Sequence, residues 1–398
     1  MTIKEISQFI EINFTNNTME NFIAYNPTKL HFGNRVLDKL GETVSVYGKN
    51  VLLMYGKGSI KKNSVYSNIV NQLNLAGSNI SEFYGIKANP VIDDVEKAVE
   101  LGIKNNVDVI IAAGGGSVID SAKITSLCIK ENLDPWSVLK SQQVAKQSIP
   151  IIVVLTIPAT GSEMNQFSVV QNHRTGEKSA LHSELMFPVH SFLDPVYTYS
   201  LPADQTSFGI SDLIAHSFEA WFGEGEAHIS DKLVVSVINE AIKYSPLVLK
   251  NPENYVYRSN IMWAATLALN GYTIHGRKSG DWAVHAIAHQ ISYLFDTAHG
   301  ATLSIVYPAW LKLMKNRIPD RIILLGKEIF QNENIDRFIS ELENFYQTIN
   351  CPIRLDEAGI NKKQQELILE YMIKNQVNGL NHKLTIEDYK MIVNLMAK

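Results

Sequence analysis

Apolar residues are distributed in two ways along this chain, and the change between them divides it. In the first half they form short unbroken runs within Lys49–Tyr55, Val107–Ala113 and Ile149–Leu155. Each run ends in small or polar residues, and helical spacing follows the first two. Continuous apolar runs of strand length, separated by helices, predict a parallel sheet buried on both faces. The expected class for this half is α/β. From about Asp204 the strand pattern stops. Asp231–Glu240 and Ile335–Phe345 carry apolar residues three and four apart, which predicts helices. The segment Asp194–Asp204, with Pro195 and Pro202 near its ends, reads as a linker. The expected organisation is an N-terminal extension over residues 1–18, an α/β domain over 19–200 and a helical domain over 201–398. Within the extension, Ile3, Ile6, Phe9 and Ile10 have the spacing of a short amphipathic helix. Lys4, Glu5, Gln8 and Glu11 break any signal-peptide core.

Three loops follow the predicted strands, at the ends where parallel α/β sheets bind ligands. Gly114, Gly115, Gly116 and Ser117 lead from a strand into a helix. Glycines let the backbone approach a pyrophosphate, and the first amides of a helix favour its charge. Ile119 stands where the G-x-G-x-x-G fingerprint has its last glycine, so this is a different loop of similar purpose. Gly56, Gly58 and Ser59 form a second loop, which has no acid to hold an adenosine ribose. It offers Ser59 with Lys57, Lys61 and Lys62, a combination suited to a 2′-phosphate, so NADP(H) is expected over NAD(H). Thr156, Thr160, Ser162 and Asn165 lie in the third loop and could meet ribose or phosphate; turns and helix caps use the same residue types.

The helical half carries the densest chemistry. Asp212 and His216 are four apart, as are His285 and His289, so each pair shares a helix face. His299 follows just before Gly300. One carboxylate and three imidazoles, from Asp212, His216, His285 and His299, suit a divalent transition metal better than the all-oxygen shells of calcium or magnesium. Iron and zinc both fit that donor set. An ion able to accept a further ligand could polarise a carbonyl oxygen, which is what hydride transfer from a nicotinamide requires. His289 reads as a proton-relay histidine or as one that packs against the ion's ligands or the cofactor. His173, His182, His190, His228 and His382 lack partners at ligand spacing, and His275 reads as a loop residue.

Composition narrows the field. A chain of 398 residues with 45% apolar and 19% charged residues is long enough for two cores. A net charge of −4 gives no basic footprint for nucleic acid. No run is long and apolar enough to span a bilayer. Cys128 and Cys351 are the 2 cysteines, too few for a disulfide framework and in keeping with a reducing cytoplasm.

The chain resembles the iron-containing alcohol dehydrogenase family, in its butanol dehydrogenase and NADPH-dependent aldehyde reductase branch. The segments that carry the resemblance are Tyr55–Lys62, Gly114–Asp120, Pro158–Glu163, Leu193–Tyr199, Met262–Thr266, Gly280–Trp282 and the candidate metal ligands. The resemblance runs from about Phe22 to the C-terminus. It implies a Rossmann-like N-terminal domain, an all-α C-terminal domain and a site in the cleft between them. It further implies metal ligation by Asp212, His216, His285 and His299, with His289 near the nicotinamide. Cofactor contacts are implied for the Gly56–Ser59 loop, the Gly114–Asp120 segment including Asp120, and Thr156, Thr160, Ser162 and Lys178. Lys57 is a departure, since near relatives often have glycine there. The implied reaction is reversible hydride transfer between NADP(H) and small aldehydes or primary alcohols, in a homodimer. The alternatives are a polyol dehydrogenase of the glycerol type, a dehydroquinate synthase-like lyase, or a nucleotide-binding sensor.

Overall fold

The computed structural model describes residues 19–397, and the helix expected over Ile3–Ile10 lies outside them. The strands are β1 (Lys29–Phe32), β2 (Asn50–Gly56), β3 (Asn79–Ile86), β4 (Val109–Gly114), β5 (Ile151–Leu155), β6 (Phe167–Asn172), β7 (Glu177–His182) and β8 (His190–Leu193). Six of them form one parallel sheet in the order β1-β8-β5-β4-β2-β3, and β6 and β7 form a separate antiparallel hairpin. The three unbroken apolar runs are β2, β4 and β5, side by side in the sheet interior. Side chains alternate between faces, as strand geometry requires. Leu52 and Met54 pack toward α3 (Ile92–Lys104) and α4 (Gly116–Ile129) of the helices below. Val51, Leu53 and Tyr55 pack with Leu40 and Val44 of α1 (Leu40–Ser45) and with Val65, Ile69 and Leu73 of α2 (Val65–Leu75). A short helix, α5 (Pro135–Leu139), precedes β5. The sequence pattern does not reveal β1 and β3, which are half-exposed edge strands, nor β8, which has only four residues.

After Leu193 the described chain is helical: α6 (Ala203–Trp221), α7 (His228–Lys250), α8 (Tyr255–Ala268), α9 (Ala283–Phe295), α10 (His299–Met314), α11 (Pro319–Phe330), α12 (Ile335–Thr348), α13 (Lys362–Lys374) and α14 (Ile386–Met396). These share one core. Helices α6 and α10 are buried on nearly every side, so they form its centre. None of the described helices is long and apolar enough to cross a membrane.

Two glycines let the central helices approach their neighbours. A Cβ on Gly300 would stand 2.0 Å from the Phe208 carbonyl oxygen, so the first turn of α10 lies directly on the α6 backbone. A Cβ on Gly209 would stand 2.5 Å from the Pro158 carbonyl oxygen, so α6 lies directly on the loop after β5. Those contacts bring the start of α10, the middle of α6 and one strand end of the sheet to a single place. Gly300→Ala should therefore separate α10 from α6 and lower the unfolding free energy by about 3 kcal/mol, at the upper end for overpacking. Denaturant unfolding measures this, and a change below about 0.5 kcal/mol would contradict the close approach.

Candidate active site

Asp212 and His216 lie on consecutive turns of α6 and face α9 and α10. His285 comes from the first turn of α9, and His299 is the first residue of α10. Their polar atoms converge on one carboxylate oxygen. Asp212 Oδ1 is 3.6 Å from His216 Nδ1, 3.8 Å from His285 Nε2 and 3.9 Å from His299 Nε2. Asp212 is 3% exposed, and Asp212 Oδ1, His216 Nδ1 and His285 Nε2 are buried without a hydrogen-bond partner. Buried polar atoms left facing one another without hydrogen bonds are costly unless something satisfies them together. Donors bound about 2.1 Å from a tetrahedral ion lie about 3.4 Å apart, close to the observed separations. The residues thus fit a divalent ion. The donors of Asp212, His285 and His299 all lie within 4.8 Å of one another. His216 stands at the side of this group, its ring stacked on His285 at 4.7 Å.

Burial sets the protonation of the imidazoles. It pushes His216 down to about 4 against the pull of Asp212. It holds His289 and His299 well below the ordinary histidine value, helped by the positive charge of Lys178. These three rings are neutral at pH 7, with lone pairs available to an ion. His285 differs: burial works against its charge, but the Asp212 and Glu219 carboxylates on either side push it up to about 9. Glu219 is its close partner, with His285 Nδ1 2.7 Å from Glu219 Oε1. His289 lies one turn further along α9, with its ring 5.2 Å from that of His299. Lys178, on β7, faces the same place and donates to Asn89 Oδ1 at 3.4 Å. Asn89 in turn donates to Asp296 Oδ1 at 2.8 Å.

The glycine loops lie at the ends of β2 and β4. Gly115 caps α4, and a Cβ there would stand 2.9 Å from Ile157. A Cβ on Gly116 would stand 2.5 Å from Thr160. The glycines therefore let this loop pack against the loop after β5, with the first amides of a fourteen-residue helix at the junction. Several side chains expected to meet a cofactor are instead engaged within the protein. Ser117 Oγ donates to the Ala88 carbonyl oxygen. Ser162 Oγ donates to Asp120 Oδ1 at 2.6 Å, and Asp120 Oδ2 accepts from the Val169 amide at 2.9 Å. Asp120 and Ser162 thus brace the wall beside the glycine loop. Thr156 follows β5 directly, and its amide donates to the Gly114 carbonyl oxygen. In the first loop Gly58 has a left-handed φ of 107°, while Lys57, Ser59 and Lys62 are exposed. Lys61 is not free as expected. It lies over the rings of Tyr55, Tyr66 and Tyr84 and is 3.9 Å from Glu82.

Two residues at this site escaped the sequence reading. Glu219 is seven residues after Asp212, two turns along the same helix face, a spacing that could have disclosed it. Lys123 is fully buried and donates to Ser162 Oγ at 2.8 Å, Asn165 Oδ1 at 2.9 Å and the Phe167 carbonyl oxygen at 2.8 Å. Its sequence signal is a cation one turn after Asp120, in a helix whose other residues are uncharged. Lys123→Met should deprive these acceptors of their donor and lower stability by about 3 kcal/mol. Loosening of the loop after β5 should weaken nicotinamide nucleotide binding at the same time. Denaturant unfolding and calorimetric titration with NADPH read the two effects, and wild-type values in both would exclude this bracing role.

The chain is similar to known proteins along nearly its whole length. The family model described as "Iron-containing alcohol dehydrogenase" matches residues 27–195, and "Fe-containing alcohol dehydrogenase family, C-terminal" matches residues 207–398. The chain is 36% identical over 384 residues to the probable NADH-dependent butanol dehydrogenase 1 of Bacillus subtilis, covering 94% of this chain and 99% of that relative. It is 34% identical over 381 residues to the NADPH-dependent aldehyde reductase YqhD of Escherichia coli, covering 93% of this chain and 97% of that one. The solved structure of NADH-dependent butanol dehydrogenase A from Thermotoga maritima superposes with a TM-score of 0.92 at 36% identity, over 96% of this chain and 100% of that one. A parallel-sheet half, a helical half and matches along nearly the whole length leave one conclusion: the chain belongs to the iron-containing alcohol dehydrogenase family.

Proposed function

We propose that the protein reversibly reduces small aldehydes to primary alcohols with NADPH, using a divalent ion held by Asp212, His216, His285 and His299. The observation that carries this reading is Asp212 Oδ1, buried without a hydrogen-bond partner amid three imidazoles. An ion bound there supplies Lewis-acid stabilisation of the oxygen that gains negative charge during hydride transfer. A nicotinamide supplies the hydride. The protein holds and orients both. The amides at the start of α4, with Thr156 and Thr160, would hold the dinucleotide phosphates, and Lys178 would hold the ribose. His289, neutral and adjacent to His299, takes a proton on one ring nitrogen as it releases one from the other, which connects the alcohol oxygen to solvent.

The preference for NADPH rests on the loop after β2. It has no carboxylate to repel a 2′-phosphate, and it exposes Ser59 between Lys57 and Lys62. With Lys61 held among tyrosines, those three residues are the available partners. The relatives include enzymes named as NADH-dependent and as NADPH-dependent, and a short local loop of this kind can set such a preference. Iron and zinc are both compatible with the donor set.

One observation favours a second reading, a polyol dehydrogenase of the same fold. A cavity of about 300 Å³ holds Lys178 and His289 together with Gln290, Asn375 and Asn378. These polar walls would suit a hydroxylated substrate better than an alkyl chain.

Steady-state assays of protein loaded anaerobically with Fe(II) or Zn(II) test both readings. Oxidation of NADPH is expected with butanal, at higher kcat/KM than for NADH, lost on chelation and restored by the metal. Absence of turnover over a panel of aldehydes with both ions would refute the proposal. A kcat/KM for glyceraldehyde well above that for butanal would favour the polyol reading.

A further inference from the structure

Helix α9 supplies both His285 and His289, and its N-terminus is built in an unusual way. Its capping residue, Trp282, has φ 67° and ψ 5°, a left-handed conformation rarely adopted by a bulky side chain. Trp282 makes no side-chain cap of its own. The orphan amides of the first turn instead turn to Glu219, on a different helix. Glu219 Oε2 accepts from the Trp282 amide at 2.5 Å, and Oε1 accepts from the His285 amide at 3.2 Å. The Glu219 carbonyl oxygen accepts from the Asp281 amide at 3.1 Å. Oε1 also meets the His285 ring at Nδ1, 2.7 Å away. Glu219 is 1% exposed, so none of these contacts competes with bulk water.

We propose that Glu219 is a positioning residue: one buried carboxylate both caps α9 and sets the tautomer and ring angle of His285. The proposal rests on the reading of His285 as a metal ligand. A carboxylate cannot donate, so the proton between the two groups sits on Nδ1. A neutral His285 ring is thereby left with its lone pair on Nε2, the atom that faces Asp212 without a hydrogen-bond partner. The same carboxylate places a negative charge at the positive end of α9. Ring and helix end are fixed by one side chain, so His285 cannot rotate about its side-chain bonds without losing this contact. Glu219 acts on the ion only through His285, and its spacing from Asp212 puts both carboxylates on one rigid helix face.

Glutamine at this position has nearly the same shape. With its oxygen kept on the Trp282 amide, its amide group takes the place of Oε1, giving up the longer bond from the His285 amide and facing Nδ1. That favours the tautomer with the proton on Nε2, where the ion would bind. Glu219→Gln should weaken Zn(II) binding by about 10- to 100-fold, read by competition with a chromophoric chelator. Thermal unfolding of the metal-free variant should stay near that of the metal-free parent. A purely structural cap would give the reverse, a lower midpoint with Zn(II) affinity unchanged, and that pattern overturns the proposal. The second arm is a double-mutant cycle. In a His285→Ala background, Glu219→Gln should cost little further affinity, because the two act as one unit. Equal losses in both backgrounds would also overturn it. If the glutamine variant does not fold, Glu219→Asp serves the same comparison. Its carboxylate stops one methylene short of His285, so weaker Zn(II) binding supports the proposal and unchanged binding overturns it. A parent protein that binds no Zn(II) would refute the metal reading itself, whereas parent binding matched by the variants refutes only the role of Glu219.

Discussion

The structure turns on a carboxylate oxygen buried without a hydrogen-bond partner. Asp212 Oδ1 sits inside the helical core with three imidazole nitrogens between 3.6 and 3.9 Å away. A charge in such a place is destabilising by several kcal/mol unless a cation or a set of donors compensates it. Burial keeps His216 and His299 neutral, so these rings offer lone pairs rather than charge. The features around the cluster follow from holding it together. Two central helices are buried on almost all sides, a glycine admits α10 to the backbone of α6, and a strained cap on α9 is held by Glu219.

The opposite wall of the site is made differently. There the sheet presents loops whose side chains largely bond to one another. Lys123, Ser162, Asp120 and the Val169 amide form one connected network beneath the glycine loop. That network braces the loop, whose backbone amides would meet the dinucleotide phosphates in the proposed function. In the proposed function one wall would hold a cation and the other an anion. Lys178 lies between them and influences His289 and His299 on the helical side.

Much of this was legible in the sequence because its signals are local. The runs that became β2, β4 and β5 are buried on both faces, so their composition alone announces them. Asp212 with His216 and His285 with His289 repeat at helical spacing, and the fold brings the two pairs to neighbouring faces. What the sequence hid depends on contacts distant along the chain. Ser117 and Ser162 look like phosphate ligands until Ala88 and Asp120 appear beside them. Lys61 looks like a phosphate partner until three tyrosine rings, from two strands and a helix, surround it. Lys123 has Asp120 one turn before it, but its three hydrogen-bond acceptors lie 39 to 44 residues away. The edge strands β1 and β3 are half solvated and carry no unbroken apolar run.

X-ray absorption spectroscopy of the metal-loaded protein tests the central claim most directly, because it reads the ion's neighbours without reference to turnover. The expected spectrum contains the outer-shell scattering of three imidazole rings and one carboxylate oxygen, with nearest neighbours at about 2.0–2.2 Å. An all-oxygen shell, or a shell containing sulfur, would mean that the ion does not sit on Asp212 and its three histidines.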